Sequence, residues 1–193
     1  MRRGVTIAAA AAALVAVAAG CGGTTSAPEP PPSLERQSAD RALPTRFVAR
    51  GFGITFRYPA GFMPAGKTLV GAAVGNETAR AGVGLSRWNL IVVSRYRLRA
   101  PVTDANVARV RQEVDGVIAR LAGRHAAGTR VRYGGFPGYA YRLWLSRPRG
   151  GESEVVVLFD RAVEYFFNCQ STPRGRSLIE SACAQALATL QRR

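Results

Sequence analysis

The chain is 193 residues long, 47% hydrophobic and 20% charged, with a formal net charge of +15. Those proportions exclude a disordered chain and leave room for one domain with its own core. The positive balance would suit anionic lipid headgroups, wall polymers or nucleic acid. However, 26 of the 27 basic residues are Arg, with Lys67 the single Lys, and no block of five or six forms. Scattered Arg of this kind fits a GC-rich coding bias, so polyanion binding stands as a minor reading.

Met1-Arg2-Arg3 precedes an uncharged, Ala-rich stretch from Gly4 to Gly20. A short basic start, an apolar middle and small residues before a cut describe an export signal over residues 1–20. The run is at the lower limit for crossing a bilayer, so a retained transmembrane anchor is the weaker alternative. Val17-Ala18-Ala19-Gly20-Cys21 resembles the bacterial lipobox. The resemblance implies that the Cys21 thiol receives a diacylglyceryl group, that cleavage leaves Cys21 first, and that its amine is acylated. The protein would then sit on the extracytoplasmic side of the cell membrane, held by lipid. Ala18 stands where that family prefers Leu, and an ordinary secretory signal with a chance Cys remains the alternative. Arg2-Arg3 leaves the twin-arginine route open beside the general secretory one. Residues 21–45, with Pro28-Glu29-Pro30-Pro31-Pro32-Ser33, read as a disordered, partly stiffened tether.

Residues 46–193 are expected to form a single α+β domain, a largely antiparallel sheet of about six strands with helices packed on it. Arg46 to Arg50 and Ile54 to Tyr58 flank a Gly turn and suit two short strands, the second ended by Pro59. Residues 66–84 are rich in Gly and Ala and give no clear element. Trp88 to Leu98 reads as a strand, apolar on both faces at Leu90 to Val93. Asp104 to Leu121 reads as a helix. Val107, Val110, Val114, Val117, Ile118 and Leu121 form its buried stripe, Thr103 caps it, and Arg111, Glu113 and Asp115 lie on the solvated side.

Four strands in hairpin order follow, near 130–133, 138–146, 154–159 and 162–169, joined by short turns that make neighbours antiparallel. Ser177-Leu178-Ile179-Glu180 has the capping-box form for a last helix. Its stripe contains Leu178, Ile179, Ala182, Cys183, Ala186, Leu187 and Leu190. That stripe turns Cys183 toward the sheet, close to Cys169 at the end of the preceding strand. With Cys21 assigned to lipid, Cys169 and Cys183 form an even pair in an oxidising location, and C-x13-C matches no zinc or redox motif. A structural disulfide is the favoured reading.

The order of these elements from 46 to 192 is similar to that of the PsbP-like α/β/α sandwiches. The opening Gly51-Phe52-Gly53-Ile54-Thr55-Phe56-Arg57-Tyr58-Pro59-Ala60-Gly61-Phe62 resembles theirs. The last strand-helix unit, with Tyr165, Cys169, Cys183 and Leu190, resembles small actinobacterial lipoproteins of the LpqN kind. The resemblance implies a non-catalytic accessory or binding domain, some members of the family being linked to lipid handling in the envelope. It implies no shared catalytic residues.

Chemistry is sparse in the residues themselves. His125 is the sole His; no G-x-S-x-G, HExxH, CxxC or complete nucleotide fingerprint occurs, and no metal or cofactor is expected. A hydrolase using His125 is the least favoured function. Tyr139, Tyr141, Trp144, Tyr165, Phe166 and Phe167 read mainly as core. Trp144 alternates away from Tyr141 and Leu143, which makes Trp144 and Tyr141 the candidates for an apolar ligand groove and a lipid carrier the alternative to an accessory module. The partner is expected to be an envelope protein or lipid.

Overall fold

The computed structural model describes residues 43–66 and 76–193. The signal, Cys21 and nearly all of the tether read from the sequence lie outside them. In chain order the strands and helices are β1 (Thr45–Phe47), β2 (Ile54–Tyr58), β3 (Met63–Pro64), β4 (Glu77–Ser86), β5 (Asn89–Val102), α1 (Val107–Ala122), β6 (Thr129–Tyr133), β7 (Phe136–Trp144), β8 (Glu152–Ser171), α2 (Arg176–Ala188) and β9 (Gln191–Arg192). The fold is α+β, as the sequence pattern requires: a six-stranded antiparallel sheet in the order β3-β4-β5-β8-β7-β6, with a three-stranded sheet β1-β2-β9 beside it.

The 20 residues of β8 occupy two adjacent places in the large sheet. Its first half pairs with β7, from Trp144↔Glu152 to Gly138↔Leu158, and its second half with β5, from Arg97↔Val163 to Leu90↔Gln170. The Ser153 hydroxyl donates to Asn168 Oδ1, whereas a straight strand would hold those residues about 50 Å apart. The run therefore doubles back at Asp160-Arg161, where Arg161 takes φ 53° without being glycine. This is the hairpin expected between 154–159 and 162–169. Alternation puts Glu152, Glu154, Val156 and Leu158 on the same face as Val163, Tyr165, Phe167 and Cys169.

Each face of the sheet has its own core. One is covered by α2 and the small sheet, where Phe52, Phe56, Phe136, Phe167, Ile179 and Leu187 are buried together. Phe47 and Phe56 stack with centroids 4.3 Å apart, and the Tyr165 hydroxyl donates to the Phe52 carbonyl at 2.8 Å. The other face is covered by α1, whose Val107, Val110, Val114 and Ile118 pack on Tyr139, Tyr141, Val157 and Phe159. At the β6–β7 turn, Gly134 and Gly135 both have positive φ, and Gly134 lies so close to the Leu190 carbonyl that a side chain would collide with it.

Several local expectations need correction. α1 starts at Val107 rather than Asp104. Its N-cap residue is Asn106, while the Thr103 carbonyl accepts the Asn106 and Val107 N–H groups in a preceding turn. Trp88 belongs to a turn, and β5 runs on to Val102. β7 begins at Phe136 despite Pro137, which costs no ladder bond toward β8 because that pairing starts at Gly138. The capping box does not form: α2 begins one residue before Ser177, with Gly175 as N-cap residue and no side-chain cap bond. The Asn89 amide sits against Gly175 and leaves no room for a side chain there. Leu178 is exposed, so the buried stripe of α2 starts at Ile179.

Cys169 and Cys183 are joined by a disulfide, with Cα atoms 6.1 Å apart, tying α2 to the second half of β8. The bridge closes a short loop through residues 169–183. Cys169→Ala with Cys183→Ala is expected to cost about 3 kcal/mol through the entropy restored to the unfolded chain, and to lower Tm by roughly 6–12 °C for a domain of this size. Thermal unfolding followed by circular dichroism checks this, and an unchanged Tm would show that the bridge is energetically idle.

Candidate functional site

Beside the N-terminal half of α2, even-numbered residues of β7 and of the first half of β8 emerge from under the helix. Arg142 and Trp144 come from β7, Glu152 and Glu154 from β8, and Arg176 and Glu180 from α2. With Cys169, Ser171 and Ile179 at the base, most of them line a shallow indentation directly over the disulfide. Arg176 Nη2 lies 2.7 Å from Glu152 Oε1, and that Glu152 side chain is largely buried. Arg142 Nη2 lies 3.5 Å from Glu180 Oε1. The Arg176 guanidinium stands 6.0 Å from the Trp144 ring, at the outer limit of cation–π contact, and its Nε is buried without a hydrogen-bond partner. The Glu154 carboxyl is raised above the usual range by burial, opposed by Arg142 and reinforced by Glu180. This surface mixes both signs of charge around an indole that is 55% exposed. It can offer hydrogen bonds and a flat aromatic contact to a partner, with no nucleophile–base pair inside it.

Tyr141 and Trp144 do not come together. Trp144 points to the α2 side; Tyr141 points to the α1 side and is 4% exposed. The Tyr141 hydroxyl donates to Asp115 Oδ1 at 2.8 Å, and burial followed by Asp115 pushes its titration far upward. Asp115 is therefore not a solvated surface residue: its carboxylate also accepts the Gly128 N–H at 3.1 Å and pairs with Arg111. Helical periodicity could not reveal that partnership, because Tyr141 is 26 residues away. His125 is exposed in the α1–β6 connection. Among the described residues no cluster of His, Cys, Asp and Glu suits a metal ion.

The α1-side face also carries Glu164, opposite Tyr96 of β5. Burial alone pushes its carboxyl up to about 7. Tyr96 is likewise raised by burial first and by Glu77 second, and Glu77 itself pairs with Arg80 at 2.7 Å. The strand alternation that assigns Tyr165 inward also assigns Glu164 to this face, but nothing in the sequence indicates how little water reaches it.

No family model and no curated relative matches the chain. Solved structures do resemble it. The solution structure of cyanobacterial PsbP (CyanoP) from Synechocystis sp. PCC 6803 superposes with a TM-score of 0.54 at 12% identity, over 91% of this chain and 98% of that one. A crystal structure from Bacteroides thetaiotaomicron VPI-5482 superposes with a TM-score of 0.51 at 11% identity, over 77% of this chain and 48% of that one. The chain thus spans about half the length of the Bacteroides protein. At these identities the likeness is one of fold, and the fold is PsbP-like.

Glu164 generates a pH dependence with a definite sign. Its folded-state pKa is above the unfolded value, so the folded form binds more protons between about pH 4.5 and 7, and stability falls as pH rises through that window. Glu164 as a residue is only half-buried, so the effect is about 1–2 kcal/mol rather than the larger value of a sealed site. Glu164→Gln is expected to remove this decline and to be the more stable form at pH 8. Denaturant titrations of both proteins at pH 5 and pH 8 check it; parallel pH profiles would refute it.

Proposed function

We propose that this protein is an exported lipoprotein, anchored to the cell membrane through Cys21, whose PsbP-like domain serves as a non-catalytic accessory or binding module in the cell envelope. The observation that carries the location is the run Val17-Ala18-Ala19-Gly20-Cys21 after an Ala-rich apolar segment. The Cys169–Cys183 disulfide supports it, since such bonds persist in oxidising compartments. All three cysteines are then accounted for in that setting, one on lipid and two in the bridge.

The reading as a binding module draws on the fold shared with cyanobacterial PsbP and on the character of the exposed surface around Trp144. Charged side chains from three elements surround that indole, and the indentation beside it is shallow. Such a surface suits a protein partner or a polar headgroup better than an acyl chain, which needs a deep apolar cavity. An accessory module is accordingly preferred to a lipid carrier.

Substitution of Cys21 by Ser tests the anchor. The wild-type protein is expected in the membrane fraction, resistant to high salt and released by detergent, with Cys21→Ser shifting to the soluble fraction. Continued detergent-dependent retention of Cys21→Ser would mean that the Ala-rich segment, not lipid, holds the protein.

A further inference from the structure

Three connections meet at one end of the large sheet: the β4–β5 turn, the β7–β8 loop and the β8–α2 loop. They are fastened to each other. Asn89 Oδ1 accepts the Thr172 N–H at 2.9 Å and its hydroxyl at 3.0 Å, and Gly150 lies against Pro173. The three connections hold Arg87, Arg147, Arg149 and Arg174 and no Asp or Glu. Arg147 and Arg149 are exposed and make no ion pair among the described residues.

The same end carries both tryptophans of the chain. Trp88 lies in the β4–β5 turn with the Arg87 guanidinium 4.5 Å above its ring, and Trp144 ends β7. Large apolar side chains are exposed here too. Met63, paired in register with Gly84, is 70% exposed; Leu85 is 47% exposed, and Leu178 in the first turn of α2 is 41% exposed. The other large hydrophobics exposed among the described residues, Leu43 and Val48, belong to the segment that leads in and out of β1.

Exposed Met and Leu are unfavourable in water, and Arg147 and Arg149, exposed with no carboxylate paired to them, attract an anion. One environment supplies both: the surface of a bilayer, with acyl chains below and phosphates above. Indoles settle at that boundary because they are apolar in body and polar at one edge. Arg adds attraction to anionic headgroups that decays within a Debye length. Nucleic acid would use the Arg but has no place for exposed Met63 and Leu85. We infer that this end of the domain, bearing Trp88, Trp144 and the Arg of the three connections, docks on a membrane surface containing anionic phospholipid. The inference rests on the envelope location proposed above. It adds an orientation, with the far end of the sheet, at the β6–β7 and Asp160-Arg161 turns, directed away from the bilayer.

The two tryptophans allow a direct test, because their emission reports on this end alone. Full-length protein with Cys21→Ser is mixed with vesicles of phosphatidylcholine, with or without phosphatidylglycerol, in which acyl chains carry bromine as a contact quencher. The expected result is a blue shift with quenching on the anionic vesicles, absent on neutral ones and reversed by salt. Arg147→Glu with Arg149→Glu should weaken this partition roughly 10- to 100-fold. Arg99→Glu with Arg109→Glu, the same charge change at the far end, should leave it close to wild type. Equal quenching on neutral vesicles, no quenching at all, or equal loss in both double variants would overturn the inference. So would a soluble polyphosphate or DNA duplex that moves the emission as far as vesicles do while brominated lipid quenches nothing. Quenching is read without the acyl anchor, so failure of the Cys21 assignment and failure of the docking end give different results.

Discussion

The doubling back of Glu152–Ser171 is the constraint on which the rest of the molecule depends. It places two consecutive lengths of chain side by side at the centre of the sheet, with β5 on one flank and β7 on the other. The first of these lengths, Val155–Phe159, is apolar and buried on both faces, as a strand covered on two sides must be, while the second alternates buried with half-buried positions. One face receives α1 and the other receives α2. Because α2 follows at once through Thr172–Gly175, it can pack only beside the strand that delivers it. That proximity brings Cys183 within bonding reach of Cys169.

The same constraint assembles the exposed surface. Doubling back returns the chain to the end where β7 finished, so the loops before and after β8 become neighbours of the β4–β5 turn. Arg142, Glu152 and Glu180 are distant in sequence and adjacent in space for this reason, as are Trp88 and Trp144. The groups that give this end its character are contributed one or two at a time by different connections. This explains why the Arg look scattered along the chain although one edge of the fold collects several of them. A coding bias toward Arg and a local concentration of Arg are compatible.

The sequence was most legible where a local signal matched the final packing. The Val stripe of α1 is one such place, and the alternation on both sides of Asp160-Arg161 is another. The pairing of Cys169 with Cys183 was also legible, because helical periodicity and cysteine parity agree. It was least legible where a long-range contact overrides local preference. Asn89 crowds Gly175 and so fixes the start of α2, defeating a capping box that Ser177 and Glu180 spell out locally. Asp115 looks solvated on a helical wheel and is held by Tyr141 and Gly128. β4 was hidden because its inward side chains are small, Ala79 and Ala81 leading to Val83, and because Gly and Ala carry little strand preference. For the candidate site, Trp144 could be singled out from alternation alone. Its ionic surroundings could not, since they come from β8 and α2.

The proposed lipid anchor at Cys21 and the Cys169–Cys183 disulfide both call for an oxidising, extracytoplasmic compartment, and the account stands on their occurring in the same molecule. Intact-mass analysis of the protein extracted from native membranes examines both together. The account predicts a chain that begins at Cys21, heavier by a diacylglyceryl group and an amide-linked acyl chain, with Cys169 and Cys183 oxidised and refractory to alkylation before reduction. A chain retaining Met1 with an unmodified Cys21, or one whose three cysteines all alkylate without reduction, would contradict it.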